Sequence, residues 1–266
     1  MTVDARAAPA ALHFSRFEFK YVLDGARRAA VEAELRLYVD LDPHVRHLPE
    51  QVYFVRSLYF DDAALTAYHQ KLDGRLARAK FRVRTYGREP GAAPRFLESK
   101  GRHDQQVFKH RAPIAAAADP LAGGDALVAD LLEHTAPGRV RDEFACQVFR
   151  RNLRPIALVD YMRRPYVGRS DPDFRLTFDS DLAATATATL FPTPARPVPL
   201  LRGYTVMEVK FRRHVPAWFV RLLQTWQLRR VSLSKICTAC EHLGLPAAPR
   251  AAHLDPDHCA WPWLRA

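Results

Sequence analysis

Between Arg78 and Arg111 the chain carries ten Lys and Arg against three acids, Glu89, Glu98 and Asp104. Arg78, Lys80, Arg82 and Arg84 alternate with Ala79, Phe81 and Val83. Residues two apart share one face of a strand, so this spacing stacks four positive charges on one side of one segment. Like charges on one face repel, and ordinary surface strands mix both signs. The spacing therefore predicts an anionic ligand on that face, and the charge density predicts more than one phosphate.

Three other segments repeat a carboxylate and an ammonium in the same phase: Glu18-x-Lys20, Glu98-x-Lys100 and Glu208-x-Lys210. One such pair on a wet strand is worth about 0–1 kcal/mol and needs no function. Three of them beside an unmatched ladder point to a polar interior. There Lys and Arg grip phosphate oxygens through charge-assisted hydrogen bonds. Carboxylates in the same space suit Mg²⁺ or Mn²⁺, which take oxygen ligands and often bridge substrate phosphates.

The elements that position these residues are mainly strands. Strands are expected at about 14–21, 51–59, 75–86, 94–101, 106–113, 155–162, 173–180 and 204–211, with Gly87 to Ala93 turning the chain between two of them. Helices are expected from Gly25 to Tyr38 behind an Asp24 cap, from Asp61 or Asp62 to Lys71, over about 120–135 and 141–151, from Pro216 to Leu228, and from a Ser234 cap to Leu243. Thr185 to Pro199 reads as a loop or irregular hairpin. The fold class is therefore α+β, mainly antiparallel β. The charged face lies on one side of an open sheet, or points inward in a closed barrel.

The length of 266 residues, the net charge of +11 and the hydrophobic content of 48% allow a real core and call for an anionic partner. Charge alone leaves nucleic acid, a membrane surface and a phosphorylated substrate open. No apolar run reaches the roughly 18 residues of a membrane span, and the N-terminus lacks the pattern of a signal peptide. A cytoplasmic protein is expected. Residues 1–12 read as a mobile segment, 13–245 as a single domain and 246–266 as a Pro-rich tail. Cys237 and Cys240 form a CxxC in a helix-like run; His258 and Cys259 would complete a four-ligand zinc site only on paper, and buried thiols are expected instead. No GxxxxGK[ST] phosphate loop is present. His13, His69, His103 and His110 are assigned no chemistry.

The stretches RFEFKY, SLYFDD, ARAKFRVRTYG, FLESKG followed by Lys109, YMRRPY, FRLTFDSDL, MEVKF and LSK occur in this order across residues 14 to 243. As an ordered set they resemble the VTC domain, the polyphosphate polymerase module of vacuolar transporter chaperone complexes, within the triphosphate tunnel metalloenzyme superfamily. The resemblance implies a closed antiparallel barrel with a basic tunnel and flanking helices. It implies that Lys20, Arg82, Arg84, Lys100, Lys109 and Arg163 hold nucleotide phosphates and the growing chain. Glu208 matches the metal-binding glutamate, for Mn²⁺ or Mg²⁺, and Ser234 with Lys235 matches the pair that opens the last helix and contacts phosphate. Arg56, Arg78, Lys80, Arg175 and Lys210 are further contributors. Some members carry a lysine two positions before that serine; here Ser232 stands there. Neither the SPX-type sensor nor the membrane helices of the fungal relatives are seen, so any membrane partner is expected to be encoded separately.

The implied reaction moves the γ-phosphate of ATP onto inorganic polyphosphate. Such a reaction needs in-line positioning and charge neutralisation more than a protein nucleophile. Two alternatives stand beside it. One is a metal-dependent hydrolase of inorganic or nucleoside triphosphate in the same superfamily. The other is a non-catalytic module that binds polyanions or nucleic acid, for which aromatics should interleave with the cations. Phe81 falls on the face opposite Arg82, so no nucleic acid is expected.

Overall fold

The computed structural model describes residues 17–91, 93–103 and 106–246. The N-terminal segment, the tail beyond residue 246, His13, His258 and Cys259 lie outside the described residues.

Among the described residues, ten strands form one antiparallel sheet. They are β1 (Phe17–Asp24), β2 (Val39–Leu41), β3 (Tyr53–Asp61), β4 (Ala77–Thr85), β5 (Phe96–His103), β6 (Gln106–Pro113), β7 (Arg154–Gly168), β8 (Arg175–Ala186), β9 (Val198–Pro199) and β10 (Tyr204–Phe211). Six α-helices accompany them among the described residues: α1 (Gly25–Leu35), α2 (Thr66–Leu72), α3 (Gly124–His134), α4 (Arg139–Arg151), α5 (Ala217–Thr225) and α6 (Lys235–His242). The order across the sheet is β1-β10-β8-β7-β3-β4-β5-β6, with β2 on β7 and β9 on β8. β7 runs well beyond the expected 155–162, and its 15 residues allow β3 and β2 to share one of its edges in succession. The short strands β2 and β9 carry too few residues for a period-2 pattern to announce them.

Cap chemistry explains where several helices begin. The Asp24 carboxylate accepts from the amide of Arg27 at 2.8 Å, as its place in the sequence predicts. Asp61 and Asp62 act together at α2: Asp61 accepts from the amides of Ala67 and Tyr68, and Asp62 from that of Thr66.

The sheet curls strongly. Lys100 on β5 donates to both oxygens of Glu18 on β1 at 2.8 Å, although these strands lie near opposite ends of the strand order. Among the described residues, no backbone pairing joins β1 to β6. The expected backbone closure of a barrel is therefore not seen, and side chains draw the two edges together.

Two apolar cores cover the convex face. One packs α3 and α4 onto β3 to β6 through Leu58, Phe81, Val83, Leu97, Leu131 and Phe144. The other packs α1 and α5 onto β1, β7, β8 and β10 through Leu23, Leu35, Phe178, Met207 and Phe219. A third core lies inside the curl, where Ile236, Cys237, Ala239 and Cys240 of α6 meet Val55, Val159, Leu182 and Val206. This helix fills one part of the concave face and leaves the rest to charged side chains. Among the described residues, no helix is long and apolar enough to cross a membrane.

Phe144 is fully buried and meets the rings of Phe60 and Phe81 at 5.1 and 5.6 Å. Phe144→Ala should destabilise the fold by about 3–5 kcal/mol. Urea unfolding should show a lower midpoint at unchanged slope; a loss under about 1 kcal/mol would place α4 outside the cooperative core.

Candidate functional site

The pleat and the pairing register set the site. On β4, Phe81 and Val83 point into the convex core, which turns Lys80, Arg82 and Arg84 to the concave face. Register then aligns Lys80 with Lys100 and Lys109, and Arg82 with Glu98 and Arg111. On the other half, Glu18 lies opposite Lys210, and Lys20 opposite Glu208.

Glu98 is the hub of one half. Its side chain is 0% exposed, and it meets Arg82 at 2.7 Å, Arg84 at 3.7 Å, Lys109 at 2.9 Å and Arg111 at 2.5 Å. Burial alone would raise its pKa, but Arg82, Arg84 and Lys109 outweigh that and hold it far below the usual carboxylate range. Tyr59 accepts a hydrogen bond from Arg82 at 2.9 Å. Burial pushes this phenol up, yet Arg82 and Arg84 more than offset it, so its pKa is lowered. Arg84 also donates to Ser57 and Tyr161, and Arg111 to Tyr86. One buried carboxylate thus gathers four cations and leaves their total charge largely unneutralised.

The second half mixes signs. Arg163 grips Asp179 with two bonds of 2.6 and 2.8 Å. Lys235, the first residue of α6, meets Asp179 at 2.6 Å and Glu208 at 3.8 Å. Glu208 takes Lys210 at 2.8 Å. Burial works against its charge, but Lys210, Lys20 and Lys235 hold its pKa well below the ordinary value. Glu18 is held near about 2, with burial and Glu208 outweighed by Lys20, Lys100 and Lys210.

The N-terminus of α6 joins the two halves. Lys20 donates to the carbonyl of Leu233 at 3.0 Å, and Lys80 donates to Ser234 Oγ at 3.3 Å. Lys71 of α2 donates to Ser232 Oγ at 2.8 Å. An ammonium therefore reaches the Ser232 side chain beside the α6 N-terminus.

Most of the residues singled out from the sequence meet here: Lys20, Lys80, Arg82, Arg84, Lys100, Lys109, Arg163, Glu208, Lys210, Ser234 and Lys235. Arg56 does not join the cluster, and Arg78 and Arg175 lie at its margin, in phase on β4 and β8. Arg56 sits on the opposite face of β3, paired with Asp160 at 2.7 Å and lying over Phe54 and Phe191. Its place in β3 is one residue out of phase with Ser57 and Tyr59, so its expected contribution is corrected. Arg78 lies at the start of β4 and donates to the Arg75 carbonyl. Arg175 is exposed at the start of β8, opposite Lys210. Arg111, Asp179 and Lys71 were missed. Arg111 shares the phase of Lys109 and could have been found; Lys71 carries no sequence signal, because only the fold brings α2 to the α6 N-terminus.

Residues 15–243 match the VTC domain family. The chain belongs to that family. Membership makes it a tunnel-fold domain that handles phosphate compounds. A solved structure of a candidate adenylate cyclase from Bacillus halodurans is similar over 83% of this chain and 94% of its own, with a TM-score of 0.51 at 13% identity; this likeness shows the fold alone. A protein from Pyrococcus horikoshii is similar over 88% of this chain and 99% of its own, with a TM-score of 0.43 at 11% identity. No functionally curated protein matches the sequence.

The fit of a divalent ion to this VTC domain can be judged from its carboxylates. Both oxygens of Asp179 are taken by Arg163 and Lys235. Glu208 gives one oxygen to Lys210 at 2.8 Å, while the other is only loosely held by Lys235 at 3.8 Å. Among the described residues, no three His, Cys, Asp or Glu side chains cluster as an all-protein site. Both oxygens of Glu18 take Lys100, so a divalent ion would find one loosely held oxygen, on Glu208, and would need substrate phosphates to complete its shell, as Mg²⁺ commonly binds.

Two outcomes are expected. Glu98→Gln removes the one charge shared by four cations and should cost about 3 kcal/mol of stability. Inorganic tripolyphosphate supplies the missing charge, so its stabilising shift in a thermal melt should exceed that of the wild type; an equal or smaller shift would mean that the ligand binds elsewhere. Lys109 is pushed down to about 7, mainly by burial, with Arg82 and Arg84 adding to it against the pull of Glu98. Above that pH the free protein holds it mostly uncharged, and a bound phosphate raises its pKa, so binding takes up a proton. Calorimetry in buffers of different ionisation enthalpy should show more proton uptake by the wild type than by Lys109→Met; equal uptake would remove Lys109 from the site.

Proposed function

We propose that this VTC domain is a polyphosphate polymerase, which transfers the γ-phosphate of ATP to a growing inorganic polyphosphate chain held in a basic tunnel. The observation that carries the reading is the charge of the concave face. Ten cations (Lys20, Lys80, Arg82, Arg84, Lys100, Lys109, Arg111, Arg163, Lys210 and Lys235) face four carboxylates there, Glu18, Glu98, Asp179 and Glu208. A surplus of this size on a continuous concave strip suits a ligand with many negative charges in a row. A hydrolase that activates water on a metal would favour a fuller carboxylate set than these residues supply.

Arg82, Arg84 and Arg163 would grip phosphoryl oxygens in pairs of hydrogen bonds, for which the planar guanidinium is shaped. Lys20, Lys80, Lys100, Lys109 and Lys210 would neutralise the remaining charge along the strip. Ser234 and Lys235 would present the α6 N-terminus, whose free N–H groups and dipole favour anions. Mg²⁺ or Mn²⁺, anchored by Glu208, would supply further neutralisation of charge developing on the transferred group. The protein's own part is to align donor and acceptor in line and to hold fixed positive charge around them. The nucleophile is the terminal phosphate of the acceptor, so no protein side chain needs to form a bond. The partners are ATP and polyphosphate or triphosphate. The setting is cytoplasmic in this reading, with any membrane partner supplied by another chain.

The test is incubation of the purified protein with ATP and Mn²⁺ and separation of the products on a gel. A ladder of polyphosphate is expected, and it should vanish with EDTA or Glu208→Ala while the fold persists. Arg82→Ala should slow the reaction at least about tenfold, equivalent to about 1.4 kcal/mol of barrier. Release of inorganic phosphate alone would assign a hydrolase, and tight binding with no turnover would assign a binding module.

A further inference from the structure

The CxxC of Cys237 and Cys240 is absorbed by none of the phosphate chemistry, yet it lies against it. Cys237 is the third residue of α6, and Cys240 follows one turn later. The Sγ of Cys237 lies 3.2 Å from Lys80 Nζ, the ammonium that also donates to Ser234 Oγ. The amide of Cys237 is itself held by Ser234 Oγ at 3.5 Å. Cys237 is buried, and a small cavity is lined by Tyr59, Lys80, Ile156, Ile236 and Cys237. Cys240 lies deeper, fully buried, and burial, with Cys237 beside it, pushes its thiol up to about 12. The pair thus has one buried sulfur against an ammonium, on a residue that lines a cavity, and a deeper thiol within one helical turn. Cys146, by contrast, is exposed and alone.

We propose that Cys237 and Cys240 form a reversible disulfide that loosens the anion grip at the N-terminus of α6. The inference rests on the reading of that terminus as part of the anion site. The Cys237 sulfur attacks a peroxide, forming an S–O bond as the O–O bond breaks and hydroxide leaves. The Cys240 thiol then attacks the sulfenic sulfur, the S–S bond forms, and its proton leaves with the departing oxygen as water. Two thiols and one peroxide give one disulfide and two waters; a dithiol reductant reverses the change.

Geometry gives the effect. Neighbours three apart on a helix keep their Cβ atoms about 5–6 Å apart, whereas a disulfide draws them to about 3.8 Å. Closing the bond must therefore distort the first turn of α6. It withdraws the sulfur from Lys80 and disturbs the bond between Ser234 and the Cys237 amide. Strain of this kind makes a disulfide easy to reduce, which is the property of regulatory ones. Coupling is reciprocal: a phosphate that engages Lys80 covers the cavity beside Cys237 and slows its oxidation.

The experiment treats the protein carrying Cys146→Ser and Cys259→Ser with hydrogen peroxide, and maps the products by alkylation and peptide mass. The expected product is a Cys237–Cys240 linkage that dithiothreitol reverses and Cys240→Ala cannot form. Amide exchange over Lys235 to Thr238 should quicken in the oxidised protein. The affinity for inorganic tripolyphosphate should fall at least about fivefold, the lower end of ordinary coupling between sites, and tripolyphosphate should slow the oxidation. No linkage, or a linkage that changes neither exchange nor affinity, would overturn the inference. Failure of the reduced protein to bind tripolyphosphate would sink the proposed function instead, while linkage and exchange would still decide the switch.

Discussion

Four cations packed around one buried carboxylate set the terms for the rest of this molecule. Arg82 and Arg84 of β4 and Lys109 and Arg111 of β6 meet at Glu98 on β5 between them. Without it, their mutual repulsion would push β4, β5 and β6 apart on the concave side. With it, they remain over-charged as a group, so the fold stores a demand for further negative charge. A phosphate meets that demand at little reorganisation cost, because its donors are already held in place. Buried ion networks are weak evidence for stability; here the network reads better as preorganisation for an anion.

The surrounding architecture serves the same end. Two apolar cores carry the convex face of the sheet and supply the burial that charged strands cannot. α6 enters the concave side, fills part of it with its own apolar face, and presents its N-terminus to the charged part. The edges of the sheet approach through Lys100 and Glu18 rather than through a backbone ladder. This contact is itself made of site residues. The same side chains that would bind phosphate thus also help to hold the curl together.

Much of this could be read from the amino acids in order. The alternation of Lys80, Phe81, Arg82, Val83 and Arg84 fixed both faces of β4, because the pleat has a period of 2. The caps at Asp24 and Ser234 announced their helices. The bounds of β6 and β10 also lay where the pattern placed them. Arg56 neighbours inward residues in sequence, but its phase on β3 turns it outward to Asp160. Lys71 and Asp179 were invisible, since their roles depend on which elements the tertiary fold brings together. The long β7, with its bulge between Asp160 and Met162, breaks the simple period and hides the true length of that strand. Backbone closure of the sheet could not be derived either, because alternation is the same in an open curl and a closed barrel.

The central claim is that the concave face, organised by Glu98, is the polyanion site. A structure of the protein with bound inorganic tripolyphosphate tests it most directly. The account predicts phosphate oxygens within about 3 Å of Arg82, Arg84 and Lys80, near the N-terminus of α6, with the contacts of Glu98 lengthened as its cations turn to the ligand. Tripolyphosphate bound on the convex surface, with the cation cluster around Glu98 unchanged, would contradict it.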